Sequence, residues 1–273
     1  MDKIKTDKLA IIATIYSNDY INSVIISKCV DNWFSFYKEN IIVLIDNNSP
    51  NKEYFNLLNE KYSNLYIISN NSSKFKYEYG GYKIGFKFVD APYYIFMQGT
   101  NLFTRKKNLE ECIISPFIYV REVDEYKESP EIIIAQDMYK SSWNSIYSVL
   151  GSNFYCNKEI AKIFYENILT KIPITNKIES CASERITAEF INNCCNIIYV
   201  CEKFIYKNKI YTGNIKNNRT KICENFNEYL TQNNIDINDK NKYEINNICD
   251  LFIKDISDSS FINFFIKISM NNQ

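Results

Sequence analysis

The chain has 273 residues, 46% hydrophobic and 23% charged, the balance of a globular protein with room for one large α/β domain or two small ones. Lysine plus arginine and aspartate plus glutamate each number 32, so no net charge favours nucleic acid or an anionic membrane. Histidine is absent, which excludes Ser-His and Cys-His nucleophilic schemes and imidazole metal sites, and leaves carboxylates as the general bases to look for.

In chain order, "LAIIATIY" (Leu9 to Tyr16) reads as a buried β-run, too short to be the apolar core of a signal peptide. An amphipathic helix follows from Tyr20 to Tyr37. "NIIVLIDNNSP" is the second main strand, ending at Asp46 in a turn of Asn, Ser and Pro. A helix over Glu53 to Tyr62 and the strand "NLYIISN" complete a β-α-β-α-β run, which predicts a parallel sheet with helices on both faces.

"KYEYGGYKIGFKFVDAP" predicts a helix opened by a glycine pair, and "YYIFMQGTNLF" a buried strand running into a neutral loop at Gln98, Gly99 and Thr100. Gly80, Gly81, Gly85 and Gly99 are four of only six glycines, so backbone here approaches either a ligand or a packed neighbour closely. "PEIIIAQDM" reads as a further strand, and "SIYSVLGSNFYCNKEIAKIFYENIL" as a strand or loop feeding a helix. "SERITAEFINNCC" predicts a helix with Ser183 as N-cap, and "NIIYVCEKFIY" a late strand.

From Tyr211 the chain is polar, with "EINNICDLFIKDI" and "FINFFIKIS" as amphipathic helices packed on the main domain. The division is therefore 1–210 for the α/β domain and 211–273 for a C-terminal helical extension. No segment reaches transmembrane length. The nine cysteines contain no CxxC pair, so reduced thiols and a cytoplasmic location are expected.

Four segments, in order, resemble the GT-A fold glycosyltransferases, most closely the inverting family-two enzymes, over roughly residues 8 to 205. "IIATIYSND" is similar to the opening strand whose end lies under the nucleotide base, which implies nucleotide contacts from Thr14 and Tyr16. "IIVLIDNNSPN" resembles the strand end whose aspartate, here Asp46, hydrogen-bonds the base; by itself Asp46 also reads as a turn aspartate. The Gln98–Thr100 loop stands where the family carries its metal-binding DxD motif. With Gln and Thr in the acidic positions, the resemblance implies transfer without metal, weak Mg or Mn dependence staying open.

"VLGSNFYCNKEIAKIF" resembles the stretch lining the acceptor side, which implies roles for Gly151 and Asn153, with Trp143 nearby to stack on a sugar or simply to pack. "SERITAEFI" resembles the helix carrying the catalytic carboxylate, here Glu184, which also reads as a first-turn glutamate favouring the helix dipole. Glu78, Gly81, Lys83, Gln98, Gly99, Thr100 and Arg185 are then expected around the donor diphosphate and sugar, with Arg105 a further cation. The implied activity is inverting transfer of a sugar from a nucleotide-diphosphate donor, in the first place a UDP-sugar, to a hydroxyl on a glycan or other acceptor. The alternative is an inactive nucleotide- or sugar-binding protein that keeps the fold. Neither the sugar, the acceptor nor the oligomeric state is legible from the residues.

Overall fold

The computed structural model describes residues 3–18, 20–103, 113–117, 119–121, 129–140, 147–194 and 265–267. In chain order the elements are β1 (Ile4–Lys5), β2 (Ala10–Ile15), α1 (Tyr20–Phe36), β3 (Ile41–Asp46), α2 (Glu53–Lys61), β4 (Leu65–Ser69), α3 (Tyr77–Phe88), β5 (Val89–Asp90) and β6 (Tyr93–Gln98). They continue with β7 (Asn101–Phe103), β8 (Ile114–Pro116), β9 (Tyr119–Arg121), α4 (Pro130–Tyr139), β10 (Tyr147–Val149), β11 (Phe154–Asn157), α5 (Lys158–Phe164), α6 (Lys177–Cys194) and β12 (Phe265–Lys267).

Six strands form a mixed sheet in the order β4-β3-β2-β6-β11-β8. The first four run parallel, and β11 is antiparallel to both β6 and β8. The molecule is therefore an α/β protein with a mostly parallel, Rossmann-like core flanked by helices, as the strand-helix alternation predicts.

Near-continuous apolar strands make sense because both faces of this sheet are covered. Ile11, Ala13 and Ile15 of β2, with Ile95 and Met97 of β6, face one layer, where α1 and α2 pack through Val24, Trp33, Phe55 and Leu58. The alternate residues Ala10, Ile12, Tyr94 and Phe96 face the other layer, with Tyr79 and Tyr82 of α3, Phe164 of α5 and Ile186 of α6. Trp33 is fully buried, and its indole N–H donates to the Asn101 carbonyl at 2.6 Å.

The glycines of α3 serve that second layer. A Cβ on Gly81 would stand 2.1 Å from Thr14 Cγ2, and one on Gly85 would stand 2.4 Å from Ile12 Cγ2. The close approach they allow is of helix to strand, four residues apart on α3 against two apart on β2. The glycine pair forms the fourth and fifth residues of α3, not its opening.

Three expectations are corrected. "PEIIIAQDM" is α4, a helix: Pro130 occupies its first turn behind an extended Ser129, and Ile132 and Ala135 are buried at a spacing of three. The Ile triplet is short enough to suit either period, so the Ser-Pro-Glu opening is the better signal. Ser183 does not cap a helix, because α6 begins six residues earlier. There Asn176 Oδ1 accepts the Glu179 N–H at 3.0 Å, while the Glu179 carboxylate accepts from the Thr175 N–H at 2.6 Å and hydroxyl at 2.8 Å. This is a reciprocal cap of Asn with a Glu three residues on. Residues 265–267, expected in a helix, form a strand antiparallel to β7. The late strand expected at 196–206, the rest of 211–273, Trp143 and Arg105 lie outside the described residues. No described helix is long and apolar enough to cross a membrane.

Candidate functional site

The chain runs from β2 through β3 to β4 on one side, then crosses to β6 on the other side of β2. The carboxyl ends of β2 and β6 therefore flank a topological switch point, where open α/β sheets leave a crevice. Two polar clusters stand along this edge, one past β3 and one past β6.

The β3 cluster centres on Asp46, which is 1% exposed. Its Oδ1 accepts the Ser49 N–H at 2.8 Å, and Oδ2 pairs with Lys52 Nζ at 2.7 Å. Ser49 Oγ in turn accepts the Ser17 N–H at 2.8 Å, tying the turn to the end of β2. Asn48 adopts a left-handed φ of 62°, as Asn tolerates in such a turn. Thr14 is buried under α3, whereas Tyr16 stands 55% exposed at the end of β2. Of the three expected nucleotide contacts, Tyr16 is thus the accessible one, and Asp46 has both oxygens occupied from within.

The β6 cluster is built around the loop of Gln98, Gly99 and Thr100. The Gln98 N–H donates to Asn153 Oδ1 at 2.8 Å, and the Gln98 carbonyl accepts from Asn101 Nδ2 at 2.6 Å. The Gly99 N–H donates to the Thr14 carbonyl at 2.7 Å, and a Cβ on Gly99 would lie 2.2 Å from Ile15 Cγ2. The loop is consequently fixed on β2, with Thr100 half-buried in the turn. Gln98 Nε2 donates to Glu78 Oε1, and Glu78 Oε2 accepts from Ser180 Oγ at 3.0 Å. Glu78 lies in the first turn of α3, where the helix dipole favours a carboxylate, and is 7% exposed.

Between β10 and β11 the chain makes one tight turn over Leu150–Ser152. Gly151 and Ser152 both take left-handed φ values, 65° and 51°. The serine is the strained member, since Gly adopts this region freely. The turn aims the Gly151 N–H at Glu184 Oε1, 2.6 Å away. A Cβ on Gly151 would meet Asn153 Nδ2 at 2.6 Å and Gln98 Oε1 at 2.7 Å. Ser152 Oγ lies 3.1 Å from Ser183 Oγ, which fastens the turn to α6. The Tyr82 hydroxyl donates to the Gly151 carbonyl at 3.3 Å, and burial, with Glu78, Tyr79 and Glu184 nearby, holds that phenol well above its ordinary pKa.

Gln98, Glu78, Gly151, Asn153 and Glu184 thus come together from four parts of the chain. Glu184 is not in a first turn: α6 starts at Lys177, so orientation comes from the Gly151 N–H in place of a helix end. Gly81 faces the sheet, and Lys83 Nζ lies 3.4 Å over the Phe75 ring. Arg185 donates from Nη1 to the Cys181 carbonyl at 2.8 Å. Asn101, Ser152 and Ser180 belong to the cluster without having been singled out in sequence. Asn101 carries a local signal, an Asx side chain closing a Gly-Thr turn, but Ser180 has none, its partner Glu78 being 102 residues away. Compared with known proteins, the chain matches no family model and no curated protein.

Proposed function

We propose that the protein is a glycosyltransferase that moves a sugar from a nucleotide-diphosphate donor, in the first place a UDP-sugar, to an acceptor hydroxyl with inversion. The observation that carries this reading is Glu184: Oε1 is anchored on the Gly151 N–H at 2.6 Å, while Oε2 makes no hydrogen bond among the described residues and the residue is half-buried. One oxygen oriented and one open is what a general base needs, and it stands beside the β6 loop at the carboxyl edge of the parallel strands. In the reaction Oε2 takes the proton of the acceptor hydroxyl as the hydroxyl oxygen attacks the anomeric carbon. The bond from this carbon to the diphosphate oxygen breaks, and the nucleoside diphosphate leaves with the electron pair. With Gln98 and Thr100 in the loop, transfer is proposed to proceed without metal.

The test is Glu184→Gln, whose amide oxygen still accepts from Gly151 but takes no proton. Transfer should fall by ~10²–10⁴-fold with an unchanged melting temperature, and an unchanged rate refutes Glu184 as base. Activity abolished by EDTA and restored by Mn²⁺ refutes the metal-free reading.

A second reading is a non-catalytic nucleotide- or sugar-binding protein. What favours it is that Asp46 and Glu78 spend both oxygens on internal partners. Mass spectrometry over a panel of UDP-sugars and acceptors decides between the two: binding without turnover favours the second.

A further inference from the structure

We infer that Gln98 reads a hydroxyl of the donor sugar through its side-chain carbonyl, and that Glu78 is the positioning residue that turns this carbonyl towards the site. The inference rests on the glycosyltransferase reading and names what one of its side chains recognises. A carboxylate accepts hydrogen bonds and donates none, so Gln98 can only present its NH₂ group to Glu78, as it does. The other carboxylate oxygen is taken by Ser180 Oγ at 3.0 Å, which fixes Glu78 in turn. The Gln98 backbone is held on both sides, by Asn153 at 2.8 Å and Asn101 at 2.6 Å, so the whole residue has one orientation.

Gln98 Oε1 is thereby directed at Gly151, 2.7 Å from the point where a Cβ would stand. It has no hydrogen-bond partner among the described residues, and Gln98 is half-buried. Across the same glycine, Glu184 is held on the Gly151 N–H. Gln98 Oε1 and Glu184 Oε2, both acceptors without a hydrogen-bond partner among the described residues, thus belong to two side chains that meet at Gly151. A diphosphate brings more acceptors and is repelled here, whereas a sugar hydroxyl brings the proton that both lack. The β6 loop thus recognises the sugar, and the diphosphate lies elsewhere.

The experiment is calorimetric titration of UDP, UDP-glucose, UDP-galactose and UDP-N-acetylglucosamine into the wild type, Glu78→Gln and Gln98→Met. Gln at position 78 has an amide of its own, which frees Gln98 to turn over, and Met at position 98 keeps the bulk without the carbonyl. At least one UDP-sugar should bind the wild type more tightly than UDP. Both variants should lose about tenfold in that affinity while binding UDP within about twofold of wild type. Equal weakening of UDP and UDP-sugar, or no change in either, overturns the inference alone. So does a Mg²⁺-dependent gain in UDP affinity that disappears in Gln98→Met, since the carbonyl then serves a metal. No binding of any of the four ligands overturns the UDP-sugar reading together with it. If Glu78→Gln does not fold, Gln98→Met decides by the same split between UDP and UDP-sugar.

Discussion

The two clusters on the carboxyl edge of the sheet differ in what they leave unpaired, although Glu78 past β6 is as fully paired as Asp46 past β3. Past β3, Asp46 has an ion pair to Lys52 and a backbone hydrogen bond to Ser49, and nothing of it is left over. Past β6, Glu184 and Gln98 each spend one end of the side chain internally and leave an acceptor oxygen without a partner among the described residues. A satisfied turn stabilises its own loop, and a ligand reaching Asp46 has to displace Lys52. A half-satisfied cluster is already oriented and keeps acceptor capacity to spare. Electrostatic preorganisation is therefore a property of the β6 side.

The largest disruption of this contrast is expected from Asn153→Ala. Asn153 is fully buried, accepts from the Gln98 N–H, and donates to the Leu150 carbonyl at 2.8 Å. Orphaning these groups should cost about 3 kcal/mol in urea denaturation, judged by the usual penalty for buried unpaired polar groups. A loss below about 1 kcal/mol would show that water replaces the side chain and that the cluster is less preorganised than drawn.

Gly151→Ala comes next. The left-handed backbone and the contact with Gln98 Oε1 should together cost about 2 kcal/mol. Crystallography of the variant should show Gln98 displaced from Glu78, with the Asp46 turn unchanged. Movement in both clusters would mean that they are coupled.

Lys52→Met tests the β3 side. It removes the cation from a buried carboxylate, but the lysine side chain is itself 45% exposed, so the loss should be only about 1 kcal/mol. Affinity for a nucleotide that reaches Asp46 should rise in this variant, because the competing ammonium is gone; titration with UDP checks this, and weaker UDP binding would make Lys52 itself a ligand.

The smallest effect serves as the control. Lys158 bridges Asp90 at 2.5 Å beside the start of β6, away from either cluster. The lysine hydrogen bond holds the Asp90 carboxyl below its ordinary value of 3.8. A depressed acid stabilises the fold above the unfolded pKa, and that contribution disappears as pH falls through the folded one. Lys158→Met should therefore cost about 0.3 kcal/mol at pH 7, since both groups are solvent-screened, and progressively less as pH falls below 3.8. Melting curves across that range measure it, and sugar or nucleotide binding should not change.

Local pattern was enough for the longer strands and helices from Leu9 to Gln98, because each has one period and a clear turn after it, but Val89–Asp90, read as the end of a helix, is the strand β5 paired with β1. It failed at α4, where three isoleucines suit a strand as well as a helix, and at the start of α6, where Asn176 and Glu179 outweigh the more obvious Ser183. Asp46, Gln98 and Glu184 were legible as candidates through the order of four segments, but their states were not. Whether a carboxylate is spent or open depends on partners such as Lys52, Ser180 and Gly151, and only the first is close in sequence.

By itself, then, the sequence determined the parallel α/β core, the absence of imidazole chemistry and a neutral loop after β6, since composition and periodicity act locally. Only the tertiary structure decided that the α3 glycines serve helix-sheet packing, that Glu78 faces Gln98, and that a left-handed turn at Gly151 delivers an N–H to Glu184. These are contacts between residues 20 or more positions apart, set by which faces the sheet brings together and not by the spacing of residues along the chain.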